Sequence, residues 1–254
     1  VISGLIGMVH LGPLPGSPRP QALAETIDAA LLDARILVDA GFDALMIENF
    51  GDAPFFPDSV PAITATSMTR VVGAIEDAFD VPIGVNVLRN DGRTALAVAA
   101  ATGAEFIRVN VLSGIMYTDQ GPITGRAAEL ARLRREIAPD IEVLADVMVK
   151  HATPPPGLTL DQAARDLWER GGADGIVVSG RGTGRGTDPA DLDTVAAAVP
   201  DAPLYVGSGA TVETIADLLK RCAGVIVGTA TKRDGIATNP VDPDRAHAIV
   251  EAAG

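Results

Sequence analysis

The chain reads as a single (β/α)8 TIM barrel, an α/β fold, and three observations predict it. Eight short apolar runs recur along its 254 residues. An Ala/Leu-rich stretch long enough for one helix separates most of them, and polar residues collect where each run ends. Eight β-α units in about 250 residues is the arithmetic of such a barrel, whose chemistry sits at the C-terminal ends of the strands.

The strands are expected at Leu5–Leu11, Asp43–Asn49, Pro82–Leu88, Glu105–Val111, Ile141–Val149, Gly175–Gly180, Pro203–Gly209 and Gly224–Ala230. Helices are expected at Gln21–Ala40, Ser67–Phe79, Arg93–Ala101, Arg126–Ile137, Thr159–Arg170, Pro189–Ala198, Val212–Leu219 and Pro243–Ala253. Thr159, Asp188, Thr211 and Asp242 stand where N-caps belong, and Pro189 and Pro243 suit a first helical turn. Gly41 and Gly171 stand where C-caps belong. The Pro-rich stretches 12–20, 53–61 and 153–157 each follow a strand, so they read as βα loops rather than linkers, and residues 1–254 are expected to form one domain.

Composition narrows the partners. A hydrophobic content of 47% with 21% charged residues suits a globular protein. The formal charge of -13 argues against nucleic acid or an anionic membrane as a partner held by bulk charge. No basic segment precedes a long apolar run, and no run approaches the roughly 20 apolar residues of a membrane span. No integral membrane association is therefore expected, and the cytoplasm is the default. The lone Cys222 excludes a disulfide within the chain and reads as an inert thiol.

Strand alternation sorts the side chains by face. In the fifth run Ile141, Val143, Ala145, Val147 and Val149 should meet the helices, while Glu142, Leu144, Asp146, Met148 and Lys150 should point inward. The same parity turns His10, Glu48, Asn86, Arg108, Asn110 and Ser179 into the barrel. An interior built for stability alone would be filled with branched apolar residues. Polar groups converging from six strands instead mark a site.

Within that set, Glu48 and Asp146 are the leading acid–base candidates, because burial can raise a carboxyl pKa into a useful range. His10 is a third. A divalent metal on these three is the alternative use, although they show no compact ligand spacing; no cofactor is otherwise expected. Lys150 suits a Schiff base or a phosphate contact. An extended strand would hold it roughly 13 Å from Asp146, so it is expected to reach the loops or a ligand instead.

Two Gly-rich strand ends, Gly207-Ser208-Gly209-Ala210-Thr211 and Gly228-Thr229-Ala230, fall after strands 7 and 8, where phosphate-binding barrels hold their anion. The helix after Thr211 would aim its positive end at the same place. A further Gly-rich stretch, 179–188, carries Arg181 and Arg185 and reads as a loop closing on an anionic substrate.

Several exact segments resemble the BtpA-like family. They are Gly7-Met8-Val9-His10-Leu11-Gly12-Pro13-Leu14-Pro15-Gly16, Glu48-Asn49-Phe50-Gly51-Asp52, Gly84-Val85-Asn86-Val87-Leu88-Arg89-Asn90, Arg108-Val109-Asn110, Ala145-Asp146-Val147-Met148-Val149-Lys150-His151-Ala152 and Val178-Ser179-Gly180. The resemblance runs from the first strand to the last. It implies a ribulose-phosphate-binding type of barrel. The family takes its name from a cyanobacterial protein associated with photosystem I biogenesis, and similar proteins occur in organisms without photosynthesis. It carries no established reaction, so the site residues rest on strand parity.

The expected function is an isomerase or carbon–carbon lyase acting on a small phosphorylated substrate, in a self-associating barrel. Asn86, Arg108 and Asn110 would orient hydroxyls, and Ser208, Gly209, Gly228 and Thr229 would join Gly207 around the phosphate. The alternative is a non-catalytic biogenesis factor for a complex such as photosystem I, for which the 4% aromatic content offers few anchors. A polyprenyl-glycerol-phosphate type synthase is a third reading and would need a long apolar groove.

Overall fold

The computed structural model describes residues 2–180 and 186–254. Eleven strands are present among the described residues: β1 (Gly4–His10), β2 (Ala44–Glu48), β3 (Ile83–Asn86), β4 (Phe106–Val109), β5 (Ile115–Thr118), β6 (Gly121–Thr124), β7 (Glu142–Val147), β8 (Ala152–Thr153), β9 (Gly175–Val178), β10 (Leu204–Val206) and β11 (Gly224–Val227). Eight of them close a parallel barrel in the order β1-β11-β10-β9-β7-β4-β3-β2. The helices are α1 (Leu23–Ala40), α2 (Ala62–Glu76), α3 (Gly92–Thr102), α4 (Ala127–Ile137), α5 (Leu160–Arg165), α6 (Pro189–Ala198), α7 (Ile215–Leu219) and α8 (Pro243–Ala253). None of the described helices is long and apolar enough to cross a membrane.

Parity divides the core as the sequence implies. Leu5, Val9, Ile47, Val85, Ile107, Val143, Ala145 and Val147 pack outward against the helices. Ile6, Met8, Met46, Phe106, Leu144, Val177, Tyr205 and Ile226 fill the barrel interior. Two large aromatics fit there because glycines stand opposite. A Cβ on Gly84 would lie 2.2 Å from the Phe106 ring, and one on Gly175 would lie 2.4 Å from that of Tyr205. The Tyr205 hydroxyl donates to the Ile2 carbonyl at 2.5 Å, so the one polar atom of this layer is satisfied.

Several boundaries and caps differ from expectation. Helix α2 starts at Ala62 rather than Ser67, because Pro61 sits extended at the N-cap and its carbonyl takes the Thr64 and Ala65 amides. The fifth helix ends its α-geometry at Arg165 and finishes as a π-turn over Asp166–Arg170, closed by Gly171 N to Asp166 O. Asp188 and Asp242 cap α6 and α8 through their side chains, but Thr159 makes no such bond. Thr211 is not the N-cap of α7, which begins at Ile215; the intervening residues form a turn in which Thr214 Oγ1 accepts the Thr211 amide at 3.0 Å. Gly41 is a left-handed C-cap with φ 104°, whereas Gly171 has φ -77° and is glycine because a Cβ would meet the Leu167 carbonyl at 2.6 Å.

One element had no counterpart in the sequence reading. Strands β5 and β6 form a hairpin around Asp119-Gln120, and β8 joins it to make a three-stranded antiparallel sheet. It connects the loop after β4 with the loop after β7.

Candidate active site

The interior parity that runs through Met8, Met46, Phe106, Leu144 and Val177 continues one step upward into His10, Glu48, Arg108, Asp146 and Ser179. Register holds them level: His10 pairs with Glu48, Glu48 with Asn86, and Asn86 with Arg108. The polar residues therefore form a layer directly on the apolar plug.

Asp146 is the hub of one half. It takes Arg108 Nη2 at 2.7 Å and Nε at 3.2 Å, Asn110 Nδ2 at 2.7 Å and Ser179 Oγ at 3.3 Å. Asn86 Nδ2 donates to the Arg108 carbonyl at 3.0 Å and to Asn110 Oδ1 at 3.3 Å. Both Asp146 oxygens are thus engaged, and both bond the Arg108 guanidinium, which fixes its direction.

Glu48 belongs to the other half. It is 7% exposed, and burial holds its carboxyl above the ordinary range against the pull of Lys150, Arg108 and Arg89. Beside it, His10 Nε2 lies 3.8 Å from Oε1. Burial and then the Lys232 charge push the imidazole down to about 3, so the ring is neutral near pH 7. Its Nδ1 sits 2.9 Å from the Ala237 carbonyl, which can only accept. The proton is therefore assigned to Nδ1, and Nε2 faces Glu48 with a lone pair. Phe50 stacks on the ring at 4.5 Å.

Two cavities take part of their lining from this layer. The larger, of about 510 Å³, is lined by Glu48, Phe50, Phe55, Arg89, Asn110, Asp119, Gln120 and His151 among others. The smaller, of about 30 Å³, runs down to Met8, His10, Gly207, Ser208, Gly209, Gly228 and Thr229. Glu48, Phe50, Arg108 and Lys150 line both. Lys150, expected to reach the loops or a ligand, lines both cavities, but not from an extended strand. Strand β7 ends at Val147, and Met148 turns left-handed (φ 49°) before it.

The phosphate-type loops bound the narrow cavity, with changes of detail. The Gly207 amide is spent on the Val178 carbonyl at 2.9 Å. Its glycine is required because a Cβ would stand 2.3 Å from Ser179 Oγ and 3.1 Å from Arg108 Nη2. The short α7 offers no extended helix dipole at this point. Ser208 Oγ, by contrast, is buried with no hydrogen-bond partner among the described residues. Arg181 and Arg185 lie outside the described residues. Among the described residues no group of three or more His, Cys, Asp or Glu could hold a metal.

Parity could not supply Phe50, Phe55, Arg89, Asp119 or Gln120, because none lies on a barrel strand. Asn49 places Phe50: its Oδ1 takes the Leu88 amide at 2.7 Å, and its Nδ2 donates to Asp52, which takes the Leu14 amide. Arg89 donates from Nη2 to the Lys150 carbonyl at 2.8 Å. The Asp119-Gln120-Gly121 turn between two β-prone triplets was a readable hairpin signal.

The whole sequence from residue 2 to residue 254 matches the BtpA family. An uncharacterised protein of Thermococcus kodakarensis is 50% identical over 98% of this chain and 94% of its own. The photosystem I biogenesis protein BtpA of Synechocystis is 45% identical over 98% of this chain and 87% of its own. Among solved structures, native KDPGal aligns over 98% of this chain and 93% of its own at 19% identity with a TM-score of 0.60. Phosphoribosyl anthranilate isomerase from Thermococcus kodakaraensis aligns over 99% and 98% at 18% identity with a TM-score of 0.58. These two share the barrel fold. By full-length sequence match and by its archaeal and cyanobacterial relatives, the chain belongs to the BtpA family.

Proposed function

We propose that this barrel is an enzyme of isomerase or lyase type acting on a phosphorylated sugar or a related small metabolite. The observation that carries the reading is Glu48. A carboxyl buried at a cavity floor, raised above its ordinary range and facing a neutral imidazole, is built to hold and release a proton. Arg108 and Arg89 place positive charge around it in a chain of net charge -13, which favours an anionic ligand at this mouth. Ser208, Gly209, Gly228 and Thr229 would take the phosphate in the narrow cavity, and Asn110 would orient hydroxyls in the wide one.

The test is thermal unfolding against a panel of phosphorylated sugars, with inorganic phosphate as control. A ligand at 100 times its Kd adds about 2.7 kcal/mol, or roughly 5–10 °C for a domain of this size. The responding compound then enters turnover assays, where Glu48→Gln should abolish conversion while keeping the thermal shift. The name of the Synechocystis relative favours a second reading, a non-catalytic factor for assembly of a protein complex. A panel without any response, together with full complementation by Glu48→Gln in a cell lacking the gene, would establish that one instead.

A further inference from the structure

Three lysines occur in this chain, and 17 of its 20 basic side chains are arginine. Two of the three are paired. Lys220 Nζ lies 3.0 Å from Asp217 on the surface, and Lys232 Nζ lies 2.7 Å from Asp33 in the interior. Lys150 has no carboxylate within 4.0 Å among the described residues, and residues 181–185 contain no acidic side chain. A position that needed only a cation could carry arginine, as most of this chain does. Lysine differs in that it can shed its proton and become a nucleophile.

The surroundings fit that use. Arg108 from β4 and Arg89 from the loop after β3 both disfavour a charge on Lys150. Glu48 from β2 and Asp146 from β7 oppose them, but Asp146 is bound to Arg108, and Glu48 is itself raised toward its neutral form. Asp119 and His151 line the outer part of the same cavity. Burial is the largest influence and lowers the amine below the usual lysine range. Lys150 also lines both cavities, as Glu48 does, and the narrower one includes the phosphate-type loops.

We propose that Lys150 is the catalytic nucleophile, forming a Schiff base with the carbonyl carbon of a phosphorylated ketose or 2-oxo acid, with Glu48 as the proton donor that expels water. This deepens the enzyme reading above and rests on it. The Nζ lone pair attacks the carbonyl carbon, and the proton lost from nitrogen passes to the carbonyl oxygen, giving a carbinolamine. Glu48 protonates that hydroxyl, the C–O bond breaks, water leaves and an iminium remains. The bond between the carbons α and β to the iminium, the β carbon bearing a hydroxyl, then breaks, and its electron pair neutralises the iminium as an enamine. The departing fragment becomes an aldehyde as its hydroxyl proton returns to Glu48. Protonation of the enamine carbon and addition of water release the second product and restore the amine. No external oxidant or reductant enters.

The first experiment is competitive acetylation of the unaltered protein by acetic anhydride at pH 7.5, read by peptide mass spectrometry. Lys150 should react faster than Lys220, because burial lowers its pKa and leaves more of the amine unprotonated. The second is sodium borohydride trapping with dihydroxyacetone phosphate or pyruvate. The expected adduct has the mass of the substrate less one oxygen, sits on Lys150, and is absent in Lys150→Arg. Acetylation of Lys150 no faster than Lys220, or adducts shared equally with Lys220, overturns the proposal. Failure of the enzyme reading itself shows separately, as no thermal shift with any phosphorylated sugar, while the acetylation rates still decide on Lys150.

Discussion

Arg108 and Asp146 meet side-on in the barrel interior, with Nη2 2.7 Å from Oδ1 and Nε 3.2 Å from Oδ2. Both side chains are essentially withdrawn from solvent. Removing one partner strands the other charge, which typically lowers stability by about 3–5 kcal/mol. Asp146→Ala should lose about that much in urea unfolding. The double variant Arg108→Met/Asp146→Leu should lose less than the two single losses added together. Simple additivity would show that the pair is not coupled.

The acid limb of stability should belong to His10. Its folded pKa of about 3 lies below the unfolded value near 6.5, so between these pH values the unfolded chain binds more protons. Stability therefore rises with pH across that window and is lost as pH falls through it. The upper bound is on the order of 4–5 kcal/mol. His10→Gln should flatten the limb between pH 6.5 and 3, measured by urea midpoints at half-unit steps.

Glu48 works with the opposite sign. Its raised folded pKa means that the unfolded chain gives up the proton first, so stability falls as pH climbs from the unfolded carboxyl value. Glu48→Gln should be more stable than the native chain at neutral pH and closer to it at pH 4. An equal gap at both pH values would contradict the assignment.

Gly84 should resist even a methyl group. An added Cβ would stand 2.2 Å from the Phe106 ring and force it off its rotamer, a strain of about 1–3 kcal/mol. Gly84→Ala should lower the Tm, and Gly84→Ala/Phe106→Leu should recover part of the loss.

Asp33 and Lys232 should act on the site from a distance. Asp33 binds Lys232 at 2.7 Å and the Val241 amide at 2.8 Å, which holds the segment after β11 against α1. That segment presents the Ala237 carbonyl to His10. In hydrogen exchange, Asp33→Asn should speed exchange at Val241 by at least about tenfold, the factor for 1.4 kcal/mol of local opening.

Period-two alternation made the barrel legible, and with it every strand-borne site residue. A side chain two positions beyond Leu144 or Met46 must point the same way, so Asp146 and Glu48 followed from geometry alone. Alternation ends where the strand ends. Lys150 was placed by extending β7 past Val147, and the left-handed turn at Met148 cancels that projection. Arg89 and Phe50 stand in loops fixed by side-chain to backbone bonds from distant residues, which no local pattern announces. Gly207 was legible as a necessary glycine, and the Ser179 and Arg108 side chains leave no room there for a Cβ.

The apolar plug of Met8, Met46, Phe106, Leu144 and Tyr205 fills the barrel below the polar layer. On the proposed reading, ligands enter and leave past the polar layer alone, and such traffic is last in, first out. For a substrate anchored by its phosphate in the deep recess and cleaved near Glu48, the outer fragment must depart before the phosphorylated one. The phosphorylated product should then compete with incoming substrate for the vacant recess, whereas the outer product should bind only while the phosphorylated one is still in place.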